Sequence, residues 1–172
     1  MKVKLQTRQI TLAGILSALT LVLGLTPIGF IPVPNLSGAL TIVHLPVILA
    51  GMIGGPIIGA FAGLVFGVMT YFRFMPDVRV VIPARLLIGP VAYLVYTALK
   101  KRPWSVPVAA AVGSMVNTVG TLSLAVVFGY IPLAGKEGAI AIGGLQGGLE
   151  ALASAILLTP IVYAVAQIMR KH

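Results

Sequence analysis

The chain has 172 residues, of which 59% are hydrophobic and only 9% are charged. Since about a quarter of the residues of a soluble domain are charged, this composition excludes a water-soluble surface and predicts a protein embedded in a bilayer. The formal net charge of +9 comes from scattered basic residues, which makes a nucleic-acid interface a poor interpretation. The lack of cysteine excludes disulfides, thiolate metal sites and a cysteine nucleophile.

Six apolar segments follow one another along the chain, separated by proline, glycine or charge. Their approximate bounds are 10–26, 40–55, 56–74, 83–99, 105–131 and 139–168. The basic start before the first segment imitates a signal peptide, but no small-x-small cleavage site follows, so we expect a retained span. The sequence therefore predicts an all-α membrane protein, a bundle of six transmembrane helices that forms one integral membrane domain over residues 1–172.

The basic residues are distributed unequally between the two predicted ends of this bundle. One end carries only basic residues: Lys2, Lys4, Arg8, Lys100, Lys101, Arg102, Arg170 and Lys171. The other end mixes both signs: Arg73, Arg79, Arg85, Lys136, Asp77 and Glu137. Because cytoplasmic loops carry the excess of Lys and Arg, we expect both termini to be cytoplasmic and the proline-rich loop after the first segment to face outward.

Small residues recur at four-residue spacing on four of the predicted helices. The second and third helices share a series at Gly51, Gly55, Gly59, Gly63 and Gly67, interrupted by Pro56, and the sixth begins with "GGLQGG". The first helix carries two small-x-x-x-small pairs, Ala13 with Ser17 and Gly14 with Ala18. Small residues let helices approach closely in lipid, so these faces predict either packing within the bundle or docking of another membrane protein.

Several polar residues lie at predicted membrane depth, where each needs a partner or a function. Pro83 suits the first turn of the fourth helix, which places Arg85 in its first outer turn. There the guanidinium could extend to the headgroups or bind an anion, because it forms forked hydrogen bonds with a carboxylate. His44, near the outer end of the second helix, could be a hydrogen-bonded packing residue or a ligand contact.

Asn117, Gln146 and Glu150 lie on the fifth and sixth predicted helices, with Gln146 one turn outward from Glu150 on the same face. They could hydrogen-bond to one another as a structural clamp between the two helices. Alternatively, Asn117 and Gln146 could line a polar cavity that opens outward.

The sequence lacks the patterns of the common catalytic sites. It contains no G-x-x-x-x-G-K-[ST] phosphate loop, no metal-ligand cluster and no Ser-His-acid set, so we expect neither a cofactor nor enzyme activity. An intramembrane enzyme would depend on Glu150 and the distant His44. A self-sufficient channel or facilitator would need a continuous polar path through the bundle. Transport by the purified chain in vesicles, with and without an ATPase module, would test this alternative.

Four stretches in order, "TIVHLPVILAGMIGGPIIGAFAGLVFG", "IPARLLIGPVAYLVY", "GSMVNTVGTLSLAVVFGYI" and "GGLEALASAILLTPIV", resemble the S components of energy-coupling factor (ECF) transporters. These are prokaryotic vitamin importers, and the resemblance covers essentially the whole chain. "HLPVI" and "VNT" are most similar to the pantothenate type, although the riboflavin, folate and cobalamin types share much of the pattern.

The resemblance implies a multi-pass protein of the prokaryotic cytoplasmic membrane that binds its vitamin from outside. It implies partners as well: the small residues of the first helix dock on a transmembrane T component, which is itself bound to two cytoplasmic ATPase subunits. On this chain the implied docking residues are Ala13, Gly14, Ser17 and Ala18. The implied substrate-binding residues are Asn35, His44, Arg85, Asn117 and Gln146.

Overall fold

The computed structural model describes residues 6–32, 39–74, 77–100, 102–135 and 138–170. In chain order the elements are α1 (Thr7–Leu25), a 3₁₀ turn (Pro27–Gly29), β1 (Phe30–Pro32), β2 (Ala39–Thr41), α2 (Leu45–Gly54), α3 (Pro56–Phe74), α4 (Val78–Ala98), α5 (Ser105–Val127) and α6 (residues 139–170). Two of these helices contain a π-helical turn, α2 at Ala50–Gly54 and α6 at Gly143–Gly147. Within these ranges the regular structure is therefore helical apart from one antiparallel hairpin, in which Ile31 pairs with Leu40.

Five of these helices, α1, α3, α4, α5 and α6, are long and apolar enough to cross a membrane, in agreement with the predicted membrane protein. The second apolar segment differs from the prediction. Residues 40–55 do not form one span, because the hairpin occupies Ala39–Thr41 and α2 begins only at Leu45. At ten residues, α2 rises about 15 Å, half the thickness of the hydrocarbon core.

The short helix α2 lies at the centre of the bundle. It contacts all five of the long helices, while α1, α3, α4, α5 and α6 pack as neighbours around it in that order. The side chains of Val47 and Ile48 are completely buried, as is Ala50. A helix that is apolar all round and enclosed by others is stable only in such a core position, which explains why "LPVIL" has no polar face.

Glycines allow α2, α3 and α4 to meet backbone to backbone. A Cβ atom added to Gly51 would lie 2.1 Å from the Gly89 carbonyl oxygen, and one added to Gly59 would lie 2.7 Å from the Gly51 Cα. Gly55 serves a different purpose, because its φ of 98° ends α2 in the left-handed region where glycine is unstrained. Most of the predicted glycine series therefore packs inside the bundle.

The fourth helix begins one and a half turns earlier than the sequence predicted. Asp77 caps it, with its side chain accepting a hydrogen bond from the backbone N–H of Arg79. Pro83 consequently lies inside α4, and Arg85 is the eighth helical residue instead of part of the first turn. This shift moves Arg85 away from the helix end and into the protein, where its side chain is buried.

Candidate functional site

A cavity of about 600 Å³ lies at the end of the bundle where the hairpin, the end of α3 and the start of α4 meet. Its walls are mainly apolar and aromatic: Phe30, Val43, Phe66, Phe74, Val80, Val81, Ala125 and Tyr130. Its polar lining is smaller: Thr41, Thr70, Asp77, Arg85, Asn117 and Thr121. An apolar cavity of this volume with a few convergent polar groups is typical of a small-molecule site.

Arg85 supplies the positive charge of this cavity from α4. The residue is only 9% exposed, and its guanidinium donates a hydrogen bond to the Thr121 hydroxyl and lies 5.1 Å from the centre of the Phe66 ring. Its Nε has no hydrogen-bond partner, and it forms no salt bridge with either acidic side chain that the structure describes. Glu150 is near enough to interact with this charge, but within the described residues Arg85 keeps a free donor and forms no salt bridge, which suits it to an anionic ligand.

The Arg85 backbone is held in place by close contact with α3. A Cβ atom added to Gly63 would lie 2.2 Å from the Arg85 carbonyl oxygen, so only glycine fits at this position without movement of α4. The glycine that the sequence placed in a packing series therefore sets the position of the charged residue of the cavity.

Asn117 and Thr121 stand opposite Arg85, one turn apart on α5. The Thr121 hydroxyl donates to the Asn117 backbone carbonyl at 2.7 Å, and the Asn117 side-chain oxygen is buried with no hydrogen-bond partner. An unpaired buried acceptor is costly, so this oxygen is positioned to accept a hydrogen bond from a ligand.

A second, smaller cavity of about 160 Å³ shares Thr41, Arg85, Asn117 and Thr121 with the first. Glu150 of α6 lines it and is only 3% exposed. The sequence suggested a clamp among Asn117, Gln146 and Glu150. The structure instead connects Glu150 to Gln146 at 3.2 Å, to Thr118 of α5 at 3.4 Å and to Thr41 of the hairpin.

The rim of the larger cavity carries an ion pair. The Arg79 and Asp77 side chains form a salt bridge at 2.7 Å, and the Tyr130 hydroxyl donates to the Asp77 carboxylate. The hydrogen bonds from Arg79 and then from Tyr130 hold the pKa of Asp77 well below its usual range, while the same contact raises the pKa of Tyr130. Asp77 is therefore in a salt bridge at the rim, whereas Glu150 forms none within the described residues.

The other predicted binding residues lie in different surroundings. His44 is completely buried, with its Nε2 within 3.0 Å of the Ser114 hydroxyl and 3.1 Å of the Ser154 hydroxyl, and it lines neither cavity. These contacts favour its packing role. Gln146 lines the smaller cavity. Asn35 lies outside the residues that the structure describes.

The two small-residue pairs of α1 face opposite ways. Ala13 and Ser17 are buried within the bundle, whereas Gly14 and Ala18 are exposed. A Cβ atom added to Gly14 would meet no atom within 4 Å. Only the second pair is therefore accessible to a partner protein.

Sequence reasoning did not single out Thr121, Thr41 or the aromatic wall. Thr121 follows Asn117 by four residues on one helix, and this spacing could have placed both on the same face. Thr41 and Phe30 come together through a hairpin whose strands are three residues long, and Phe66 meets Arg85 across two helices. No local sequence pattern predicts contacts between elements that are distant in the chain.

The comparisons with known proteins point to one family. A search of curated proteins found no match to the chain. The family model of the ECF transporter substrate-specific component matches residues 8–168, which is nearly the whole chain. This match agrees with the long apolar helices. The chain therefore belongs to the family of ECF transporter substrate-specific components, the membrane subunits that capture a small-molecule substrate for transport.

Proposed function

We propose that this chain captures a small vitamin that carries a carboxylate, with pantothenate as the first candidate, and that it delivers this vitamin to an ECF transporter. The observation that carries the proposal is the buried Arg85 guanidinium, which has a free donor and no salt bridge in the described part of the chain. A carboxylate would satisfy that donor and the charge together. The hydrogen bond to a charged group would contribute about 1.5–3 kcal/mol to binding.

The remainder of the cavity supports a ligand with a compact apolar centre and polar ends. Pantothenate has a carboxylate, an amide, two hydroxyls and a branched aliphatic centre. The aliphatic part would contact the walls that Phe30 and Phe66 provide, and a donor of the ligand would reach the unpaired Asn117 oxygen. Riboflavin, folate and cobalamin are the alternatives to be tested beside it.

Calorimetric titration of purified variants with pantothenate tests the role of Arg85. Arg85→Ala should weaken binding by about 10- to 150-fold, since each 1.4 kcal/mol changes affinity tenfold. Arg85→Lys should recover part of the loss, because the ammonium keeps the charge without the planar fork. Arg79→Ala serves as the control, because this arginine is exposed and already paired with Asp77 at the rim. Unchanged affinity in Arg85→Ala would contradict the proposal.

Capture from outside requires that the cavity end of the bundle be the outer end. The charge distribution predicts this orientation, since Arg73 and Asp77 lie at the cavity end while Lys100 and Arg102 lie at the other. The chain has no cysteine of its own, so single cysteines give a clean test. A cysteine at the exposed Ile28 should react with an impermeant reagent in intact cells, and one at Arg102 only after permeabilisation. The opposite pattern would exclude uptake from outside through this cavity.

A further inference from the structure

The smaller cavity differs in chemistry from the larger one that it joins. Arg85, Asn117 and Thr121 stand at the junction and line both. Beyond them the larger cavity is walled by aromatic and aliphatic side chains, whereas the smaller cavity ends at Glu150 and Gln146. A ligand whose carboxylate lies at the junction would therefore have its apolar part on one side and a polar group on the other.

The two oxygens of Glu150 are occupied very differently. Oε1 accepts hydrogen bonds from the Thr41 backbone N–H at 2.9 Å, the Thr41 hydroxyl at 3.1 Å and the Gln146 amide at 3.2 Å. Among the residues that the structure describes, Oε2 accepts only one long bond, from the Thr118 hydroxyl at 3.4 Å. Because a carboxylate oxygen can accept about two hydrogen bonds, Oε1 is saturated and Oε2 retains accepting capacity.

The same cavity is lined by a residue with an unpaired acceptor. Asn117 lines it, and the buried side-chain oxygen of Asn117 has no hydrogen-bond partner among the described residues. Glu150 itself forms no salt bridge within the described ranges. The Asn117 oxygen requires a donor, since a buried polar group without a partner costs about 1–3 kcal/mol, and Glu150 Oε2 can accept a second hydrogen bond beside that from Thr118.

The charge of the neighbouring groups indicates which kind of donor fits. Arg85 lines the same small cavity, so a ligand ammonium placed there would face a guanidinium of the same sign. An uncharged hydroxyl or amide N–H meets no such repulsion and can donate to the Glu150 carboxylate. The volume of about 160 Å³ admits only a short polar end of a ligand.

We infer that the smaller cavity is a subsite for the hydroxyl-bearing end of the substrate, with Glu150 Oε2 and the Asn117 side-chain oxygen as the acceptors. This inference rests on the proposed function, because it takes the carboxylate of the same ligand to be held by Arg85. It narrows the substrate class to carboxylates that also carry uncharged hydrogen-bond donors. In this arrangement Glu150 contributes specificity, while its other oxygen holds the hairpin through Thr41.

Glu150→Gln separates the contact of Glu150 with the ligand from its contact with the hairpin. The amide oxygen of glutamine can replace Oε1 and keep the bonds from Thr41 and Gln146, which leaves the amide nitrogen in the position of Oε2. The ligand-facing atom thus loses its charge and changes from an acceptor to a donor. The hairpin contact is retained, so the variant is expected to fold.

The experiment measures the affinity of two ligands by calorimetry, pantothenate and the N-acyl-β-alanine of the same carbon skeleton that lacks both hydroxyls. The affinity for pantothenate divided by the affinity for the hydroxyl-free ligand measures the contribution of the hydroxyls to binding. In Glu150→Gln this ratio should fall by about fivefold or more, since the ligand hydroxyl exchanges a hydrogen bond to a charged acceptor for a neutral one from the amide N–H, which is roughly 1 kcal/mol weaker. Taking the ratio cancels the Coulomb effect of Glu150 on the carboxylate, which both ligands share.

Lys100→Gln is the control, because it removes an exposed charge at the opposite end of the bundle that lines neither cavity. The ratio should stay at the native value in this variant. The hydroxyl-free ligand should bind Glu150→Gln at least as well as it binds the native chain, because a negative charge near Arg85 has been removed, and this result also shows that the variant is folded.

A ratio that is unchanged in Glu150→Gln while Arg85→Ala still loses affinity would overturn the subsite and leave the proposed function intact. Equal affinity of the native chain for the two ligands would overturn the subsite as well. Failure of the native chain to bind either ligand would instead refute pantothenate as the substrate, and with it the subsite that depends on it.

Discussion

Two glycine-containing surfaces of this molecule look alike in the sequence and differ completely in their surroundings. Gly59 of α3 lies where α2, α3 and α4 meet, and a Cβ atom added to it would lie 2.8 Å from the Gly89 Cα. Gly14 of α1 is exposed, and the same atom would meet nothing within 4 Å. The packing of this chain requires the first residue to be glycine. At the second, the Cβ atom of a larger side chain would meet no neighbour within the described part of the chain.

This contrast shows what small-residue spacing can and cannot indicate. Spacing of four residues places small side chains on one helix face, but it does not say what that face meets. In α3 the face is covered by α4 of the same chain. In α1 the Gly14 face is left open, which is expected for a surface that a second membrane protein covers.

The largest effect is expected at the contact of three helices. Gly89→Ala places a methyl group against the Gly59 backbone, which cannot move as a flexible side chain would. Since α2 and α4 pack on the same spot, the helices must separate, and we expect a loss of about 3 kcal/mol or more in the free energy of unfolding. Thermal unfolding in detergent measures this change. A native-like transition would contradict the close helix contact.

Gly63→Ala should be less destabilising and more informative about the site. Its methyl group would lie 2.2 Å from the Arg85 carbonyl oxygen, so α4 must shift where it carries the guanidinium. We expect a loss of about 1–3 kcal/mol in stability together with weaker pantothenate binding, because the geometry of a bound anion depends on where the guanidinium lies. A variant that unfolds earlier but binds normally would show that Gly63 does not position Arg85.

The sequence predicted the helical membrane protein and the bounds of α3 because strong local signals determine both. Pro56 breaks the chain before α3, and charged residues follow Phe74. The predicted start of α4 at Pro83 is wrong, because Asp77 caps the helix, which begins at Val78. An aspartate before an apolar run is itself a helix-capping signal. With that error Arg85 was placed near the headgroups, where an unpaired buried donor could not have been expected.

The candidate site was only partly predictable for a related reason. Arg85, Asn117 and Gln146 could be suspected because polar residues at membrane depth are conspicuous. Their partners could not, because Phe66, Thr121 and the hairpin residue Thr41 reach the cavity through contacts between elements distant in sequence. The central position of α2 is likewise a property of the whole bundle, and its ten residues show only that it is apolar.

An intermediate case sharpens the contrast between the two surfaces. A Cβ atom added to Gly67 would lie 3.3 Å from the Cδ1 atom of Ile82, which is the far end of a flexible side chain. Gly67→Ala should therefore change the free energy of unfolding by less than about 1 kcal/mol, because a small rotation of Ile82 relieves the contact. A loss as large as that of Gly63→Ala would mean that side-chain and backbone neighbours cannot be distinguished in this bundle.

The smallest effect on stability is expected at the open face of α1. Gly14→Leu and Ala18→Leu should lower the free energy of unfolding by no more than about 0.5 kcal/mol, since both residues are exposed and a Cβ atom added to Gly14 meets nothing within 4 Å. If this face docks on the T component, both variants should lose uptake in vesicles that contain the complete transporter while pantothenate binding by the purified chain is unchanged.

Gly148→Leu is the matched control, because Gly148 is also exposed with no atom within 4 Å of an added Cβ, but lies on α6. Loss of uptake in all three variants would indicate a general disturbance of the lipid-facing surface, and normal uptake in the two α1 variants would exclude this face as the docking surface.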